Sequence, residues 1–280
     1  MTGKSRDSTS SSGEDAAPAV ATASLTRRFE DLVAVDHLDL TIEHGAFFGL
    51  LGSNGAGKTT VIRMLTTLLP PSSGTARVTG FDIVREPREV RRRIGYVPQM
   101  LSADAALTGR ENLTLSARLY AIPRAERKAR IDQALAFMGL TDVANALVRT
   151  YSGGMIRRLE IAQSMLHRPA VLFLDEPTVG LDPRARHAVW DRLRELRSQF
   201  GTSVLLTTHD MEEADTLCDK IAIMHRGRVV VSGTPQELKS AAGENATMDD
   251  VFVRHTGGAV EEGGTYREVA QTRNTARRLE

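Results

Sequence analysis

The chain has 280 residues, of which 41% are hydrophobic, and its formal net charge is +1. This length allows one large domain or two small ones with a full core, and the balanced charge gives no reason to expect nucleic acid as a partner. A single cysteine excludes an internal disulfide and fits the reducing cytoplasm. No apolar run approaches the roughly 20 residues of a membrane span, and we expect no secretory signal at the N-terminus.

The first half of the chain predicts strands followed by a helix. Residues 1–18 are rich in Ser, Gly and Asp, and we expect them to form a disordered arm. Apolar and polar residues alternate over 38–42, as in a half-buried strand. FFGLL at 47–51 predicts a buried strand, and the helical pattern at 61–69 follows a glycine-rich turn. IGYV at 94–97 predicts a second buried strand.

The second half begins with a helical insertion and returns to strands. Residues 101–169 are rich in Ala, Leu, Arg and Glu with helical spacing. Strand patterns return at 171–175 and 203–209, and a hairpin is predicted to turn at Arg226 and Gly227. Strands that alternate with helices predict an α/β fold with a parallel sheet. Residues 258–280 form a polar tail that we expect to be poorly ordered.

GSNGAGKT at 52–59 fits the phosphate-binding pattern GxxxxGK[ST]. A predicted buried strand precedes it and a helix follows, as this pattern requires, so a chance glycine turn is a poor explanation. Backbone amides would surround the phosphates, Lys58 would reach the β- and γ-phosphates, and the Thr59 hydroxyl would ligate Mg²⁺. The residues expected to bind ATP here are Gly52, Ser53, Asn54, Gly55, Ala56, Gly57, Lys58, Thr59 and Thr60.

Two acidic residues end the predicted strand at 171–175. Such an end delivers carboxylates to the sheet edge where ligands of α/β proteins bind. We expect Asp175 to hold Mg²⁺, through water, and Glu176 to polarise the attacking water. Acidic strand ends are common, but a phosphate-binding loop upstream favours the catalytic interpretation.

Three further side chains carry weaker signals. His209 follows an apolar strand that should neighbour the strand of Asp175, where it could donate a hydrogen bond to the γ-phosphate; most single histidines are structural. Gln99 follows a strand end and could contact Mg²⁺ or the attacking water. Phe29 could stack on adenine, although most such aromatic residues are packing residues.

YSGGM at 151–155 is a second glycine turn that opens a predicted helix. Exposed amides at a helix start suit an anion, and glycine allows a phosphate to approach closely. One chain would then carry two phosphate-facing turns about a hundred residues apart. A two-fold dimer would reconcile them, because the turn of one copy could face the nucleotide bound to the other.

Taken in order, these residues resemble the ATP-binding subunit of an ABC transporter. The resemblance covers about residues 20–257 and rests on a series of motifs. They are Phe29 at the adenine-stacking position, GSNGAGKTT as Walker A, Gln99 as the Q-loop, YSGGM as the signature motif, VLFLDEP as Walker B with its catalytic Glu176, VGLD with Asp182 as the D-loop, and TTHD with His209 as the H-switch.

The resemblance implies the remaining assignments. It implies a P-loop NTPase core with an antiparallel β-subdomain and an inserted α-helical subdomain, all within residues 19–257. It implies ATP and Mg²⁺ as ligands, and a head-to-tail dimer in which Ser152, Gly153 and Gly154 contact the nucleotide of the other copy. It also implies that the subunit acts at the cytoplasmic face of the cell membrane through a membrane permease. The subunit would work there as a homodimer or as a heterodimer with a related ATPase.

Within the family, YSGGM followed by RRLEIA is similar to the branch of daunorubicin-type drug-resistance exporters. That branch usually works with a separately encoded ABC-2-type permease, so we expect export of a drug or antibiotic. Export of a lipid or polysaccharide stays open, because the transported molecule meets the permease. A non-transport ABC ATPase is disfavoured, since the chain has one cassette and no internal repeat. Met155 departs from the usual glutamine of the signature motif.

Overall fold

The computed structural model describes residues 17–257; all but the last two residues of the predicted arm, and the whole predicted tail, lie outside them. The strands are β1 (Val20–Phe29), β2 (Leu32–Leu38), β3 (Thr41–Ile42), β4 (Phe47–Leu51), β5 (Ser73–Val78), β6 (Phe81–Asp82), β7 (Ile94–Val97), β8 (Val171–Asp175), β9 (Ser203–Thr208), β10 (Lys220–His225) and β11 (Arg228–Gly233). The helices are α1 (Lys58–Leu65), α2 (Pro87–Arg93), α3 (Gly109–Leu119), α4 (Arg124–Phe137), α5 (Gly153–Met165), α6 (Pro183–Phe200), α7 (Met211–Leu217), α8 (Pro235–Ala242) and α9 (Met248–Thr256).

A six-stranded sheet organises the molecule, with strand order β11-β10-β4-β9-β8-β7. The five strands from β10 to β7 pair in parallel, and β11 joins β10 as the predicted antiparallel hairpin. Parallel pairing places the carboxyl ends of β4, β9, β8 and β7 along one edge. The loops that leave these four neighbouring strands therefore start side by side.

The central strands are buried on both faces, which explains their continuous apolar runs. Successive side chains of β4 point to opposite faces: Phe47 and Leu51 join one core cluster, while Phe48 and Leu50 join the other. The first cluster includes α3 to α6, and the second includes α1 and the N-terminal strands. The sheet thus separates a helical core from a mixed core.

A second, antiparallel sheet covers the mixed core. Its strand order is β2-β1-β5-β6, with β3 also paired to β1. Between residues 101 and 169 the structure contains α3, α4, α5 and two short 3₁₀ turns, with a single isolated bridge between Thr108 and Leu147. The predicted α/β class with an antiparallel layer and inserted helices is confirmed. The exact domain boundaries stay a prediction.

Two predicted elements differ from the structure. The alternation over 38–42 is not one strand, because the Thr22 side chain interrupts the ladder: its hydroxyl donates to the Leu38 carbonyl and accepts from the Leu40 amide, each at 2.8 Å. The helix expected at 61–69 begins at Lys58 and ends at Leu65. Thr67 has a left-handed φ of 64°, which stops the helix before the proline pair.

Cys218, the only cysteine, packs under β4 and provides a test of this packing. A Cβ added at Gly49 would lie 2.7 Å from its Sγ, so the thiol fills the space that glycine leaves. Complete burial raises the pKa of the Cys218 thiol well above its ordinary value. Since the thiolate is the reactive form, the folded chain should resist alkylation.

We expect iodoacetamide at pH 8 to label Cys218 only when denaturant unfolds the chain, because the native thiol is protonated and enclosed. Mass spectrometry across a urea titration measures the labelled fraction, which should rise together with unfolding followed by circular dichroism. The Gly49→Ala variant should lose about 1–3 kcal/mol of stability by overpacking and should be labelled at lower urea. Rapid labelling of the native chain would contradict this packing.

Candidate functional site

The glycine-rich loop connects the end of β4 to the start of α1 at the shared sheet edge. The Gly52 amide donates to the Thr208 carbonyl at 3.2 Å, which ties the loop to neighbouring β9. Gly57 has a φ of 104°, and a Cβ there would lie 2.3 Å from the Ala34 carbonyl oxygen, so only glycine fits. No side chain caps α1, whose first amides consequently face the cleft. A helix start of this kind suits a phosphate.

The loop borders a cleft of about 910 Å³, which is large enough for a nucleotide. The residues predicted to bind ATP line it from Asn54 to Thr60, together with Gln99, Glu176 and His209. Phe29 lies at its rim with 40% of its surface exposed, and the Arg27 guanidinium is centred 4.6 Å from the ring centroid. The cleft therefore combines a polar floor with an aromatic rim.

Lys58 lies almost completely buried on the floor of the cleft. Its Nζ donates to the carbonyl oxygens of Gly52 at 2.7 Å and Ser53 at 3.1 Å, and it contacts Glu176 Oε1 at 3.1 Å. Burying an ammonium group is costly unless it is paired in this way. The lysine is thus held by backbone oxygens with its charge directed at an anion.

Asp175 ends β8 beside the loop and is held by two hydroxyl groups. Thr59 Oγ1 donates to its Oδ1 at 3.0 Å, and Thr207 Oγ1 donates to the same oxygen at 2.7 Å. Burial raises the pKa of Asp175, although these two hydrogen bonds oppose that effect. The Thr59 hydroxyl and the Asp175 carboxylate are hard oxygen groups of the kind that Mg²⁺ prefers, and Thr59 and Gln99 both line the cleft. The predicted metal ligands therefore fit this ion.

Glu176 occupies the centre of the site. Its carboxylate accepts a hydrogen bond from Gln99 Nε2 at 3.1 Å, and His209 Nδ1 lies 3.4 Å from the same oxygen. Its amide donates to Thr207, and its φ of 46° lies in the left-handed region, a costly conformation for glutamate. Burial would raise the pKa of Glu176, but His209 and Lys58 outweigh burial and leave it lowered.

His209 Nδ1 has no aligned acceptor, and its distance of 3.4 Å from the Glu176 carboxylate is long for a hydrogen bond, so the contact is an ion pair when the imidazole is protonated. The Glu176 carboxylate nevertheless raises the pKa of His209, against the opposing effect of burial. This pairing favours the imidazolium form, in which both ring nitrogens are donors.

The second glycine turn does not line this cleft. Ser152 caps α5, and its side chain accepts from the Met155 amide at 3.3 Å. Ser152 and Gly153 are exposed, whereas a Cβ on Gly154 would lie 2.8 Å from the Ala185 side chain on α6. Asp182 caps α6 by accepting from the Ala185 amide at 3.0 Å and is likewise absent from the cleft lining. The structure thus separates this group from the phosphate-binding loop of its own chain.

Several residues at the site escaped sequence reasoning. Thr207 links Asp175 to the Glu176 backbone. The only sequence signal for Thr207 was its place in the pair of threonines before His209. Arg226 and Gly227 were expected only as a hairpin turn, yet they line the cleft. The Gly227 amide donates to the Ala56 carbonyl at 3.0 Å, a contact across the sheet that no local pattern reveals.

Comparisons with known proteins agree on one family. The family model described as "ABC transporter" matches residues 35–179. The daunorubicin/doxorubicin resistance ATP-binding protein DrrA of Streptomyces peucetius is 50% identical over 81% of this chain and 68% of its own length. The Nod factor export ATP-binding protein I of Ralstonia nicotianae is 43% identical over 81% of this chain and 70% of its own length.

Solved structures give the same result. A structure titled as the ATP binding subunit of an ABC transporter superimposes with a TM-score of 0.75 at 29% identity, over 84% of this chain and 98% of the other. A dimeric ATP-binding cassette, MJ0796, bound to ADP and Pi in a post-hydrolysis state, has a TM-score of 0.69 at 25% identity, over 77% of this chain and 98% of the other.

Within residues 17–257 no helix is both long and apolar enough to span a bilayer. ATP-binding subunits of ABC transporters dimerise and work with a separate membrane permease. The matched residues, the relatives and the solved structures identify the same kind of subunit. The chain therefore belongs to the ABC transporter family, as an ATP-hydrolysing, ATP-binding subunit.

Proposed function

We propose that this chain hydrolyses Mg-ATP in the cleft described above and drives export of a drug or antibiotic through an ABC-2-type permease at the cytoplasmic face of the membrane. One observation carries the site assignment: Lys58, Gln99 and His209 all converge on a single carboxylate, that of Glu176. Groups that surround one anion in this way also suit a γ-phosphate. The first amides of α1 supply further donors beside it.

Each residue then has a specific role. Lys58 and the loop amides bind the β- and γ-phosphates, and His209 donates to the γ-phosphate. Glu176 has a lowered pKa, so it is ionised at neutral pH and can accept a proton from water as that water attacks the γ-phosphorus. Thr59, Asp175 and Gln99 would hold Mg²⁺, which when bound neutralises charge on the phosphates. Phe29 stacks on the adenine ring.

ATP must displace Glu176 from Lys58 before the γ-phosphate can bind. In this structure the two are 3.1 Å apart, and both side chains are nearly buried. The incoming phosphate replaces the carboxylate as the partner of Lys58. Glu176 is then available to the attacking water, since its backbone is still fixed by Thr207. Exchange of one anion for another thus prepares the base.

The drug-export assignment rests on the relatives. Four relatives named for daunorubicin or doxorubicin resistance are 43–50% identical to this chain, three of them at 46–50%. Those named for Nod factor export are 43–45% identical. The second group shows that a similar ATP-binding subunit is named for export of a molecule other than a drug, and a lipid or polysaccharide stays the other candidate substrate. Because the transported molecule meets the permease, we assign the choice of substrate to the permease rather than to the cleft.

We expect Glu176→Gln to keep ATP binding and to lower hydrolysis by about 10²–10⁴-fold, because the amide cannot act as a base. Phosphate release measures the rate, and light scattering should show an ATP-loaded dimer. Glu212→Gln is the matched control, since it removes the same charge from an exposed position on α7. Wild-type turnover by Glu176→Gln would remove Glu176 from the mechanism.

We expect the two glycine turns to act in trans. Homodimers of Lys58→Ala or of Ser152→Glu contain two defective sites each, because a new carboxylate at Ser152 repels the partner's γ-phosphate. In a mixed dimer one site combines an intact loop with an intact turn. Trapping of labelled ATP should appear at one site per mixed dimer, although neither parent traps any. No trapping in verified mixed dimers would contradict the trans arrangement.

We expect co-expression of this chain with a separately encoded ABC-2-type permease to lower doxorubicin accumulation in a bacterial host. The Lys58→Ala chain, expressed to the same level, is the matched control, because it lacks the phosphate-binding charge. Doxorubicin content after loading and growth on the drug measure the effect. Equal accumulation with both chains, together with ATP-dependent export of a lipid or polysaccharide, would shift the assignment to the other candidate substrate.

A further inference from the structure

A buried polar cluster lies beside the nucleotide cleft without lining it. It consists of Thr178, Trp190 and Glu213, which are 6%, 1% and 1% exposed. Thr178 Oγ1 and Trp190 Nε1 donate to the same oxygen, Glu213 Oε1, at 2.8 Å and 2.9 Å. Burial raises the pKa of Glu213, and hydrogen bonds from the side chains of Thr208, Thr178 and Trp190 oppose that effect. The mechanism proposed above makes no use of these residues.

The cluster joins two segments of the chain, one that follows Glu176 and one that follows His209. Thr178 lies two residues after Glu176, at the start of the turn that reaches Asp182. Trp190 lies on α6, the helix that Asp182 caps. Glu213 lies on α7, which begins two residues after His209. The Glu213 carboxylate therefore connects the segment that follows His209 to the segment that follows Glu176. It does so at two points, Thr178 and Trp190.

A second polar contact also connects α6 to the start of α7. Arg186 on α6 pairs with Asp210, the residue next to His209. Asp210 also accepts from the Glu213 amide at 3.1 Å, so its carboxylate fixes the start of α7. The carboxylates of Asp210 and Glu213 thus both attach α7 to α6. A shift of His209 must move α6 and the 179–182 turn, or break these contacts.

Stability alone does not explain a carboxylate at this position. A buried carboxylate costs free energy unless donors satisfy it, and apolar residues of similar volume often replace buried polar clusters at no loss of stability. What the polar cluster adds is directional attachment between defined groups. The attached segments are those that carry His209, Glu176 and Asp182.

We propose that Glu213 is a positioning residue that couples the His209 segment to the 179–182 turn, so that γ-phosphate binding in one site repositions the turn that faces the other copy. This inference rests on the proposed function, because it takes His209 as the γ-phosphate contact and the dimer as the working form. Glu213 is buried and does not line the nucleotide cleft. It acts through Thr178 and Trp190.

Thr178→Val tests the coupling, because valine keeps the shape of threonine and removes only the hydroxyl donor. We expect kcat to fall about 5- to 150-fold, the range expected when a buried polar group loses a hydrogen-bond partner, while KM for ATP changes less than about twofold. Thr178→Ser restores the hydroxyl and should restore kcat. Thr202→Val is the matched control: its hydroxyl is also buried, but it bonds the Pro169 carbonyl at the opposite end of β9.

Trp190 provides a second readout, since it is the only tryptophan of the chain and its indole donates to Glu213. The full-length chain should change tryptophan emission with a non-hydrolysable ATP analogue but not with ADP, because only the former carries a γ-phosphate. His209→Ala should abolish this difference while fluorescent-nucleotide binding persists. The same emission change in His209→Ala as in the wild type would overturn the coupling.

The outcomes separate this inference from the proposed function. A wild-type chain that hydrolyses no ATP contradicts the proposed function itself. A wild-type chain that hydrolyses ATP, with Thr178→Val and Thr178→Ser equal in kcat, contradicts only the role of Glu213. Equal losses of kcat in Thr178→Val and Thr202→Val would show a general effect of destabilisation and would also overturn it. If Thr178→Val does not fold, the emission experiment with His209→Ala decides.

Discussion

The site depends on one constraint, the parallel pairing of β4, β9, β8 and β7. Residues 51, 208, 175 and 97 end these strands, and each is followed within two residues by a group of the site. Parallel pairing in register aligns the four ends at one edge. Residues more than a hundred positions apart in the chain thereby meet within hydrogen-bonding distance. A register slip of one residue would turn their side chains to the wrong face.

The second determinant of the site is the charge balance between Lys58 and Glu176 on the buried floor of the cleft. Lys58 and Glu176 are both buried, and each would be costly to leave unpaired. In the structure they satisfy each other, with Gln99 and His209 at the second carboxylate oxygen. When Glu176 moves away, the buried Lys58 needs another anion as its partner. A phosphate group meets this requirement and frees the carboxylate for chemistry.

The signature turn, residues 151–155, lies on the surface and does not line the cleft of its own chain. Ser152 and Gly153 are exposed, and Gly154 is pressed against α6. Close packing of Gly154 on Ala185 fixes the turn relative to the helix that follows Asp182. The signature turn and the D-loop therefore form one unit on the surface. The cleft and this unit would each remain incomplete in a single copy, and a two-fold arrangement would complete both at once.

The sequence by itself determined the local parts of this protein. The glycine pattern, the all-apolar strands and the residues that follow them depend on short-range rules, and Lys58, Glu176 and His209 were found in this way. Only the tertiary structure decided how those parts combine. The Thr207 link, the contact between Gly227 and Ala56, and the Glu213 cluster join residues that are distant in the chain. Such contacts depend on strand order and helix packing, and no local periodicity encodes either.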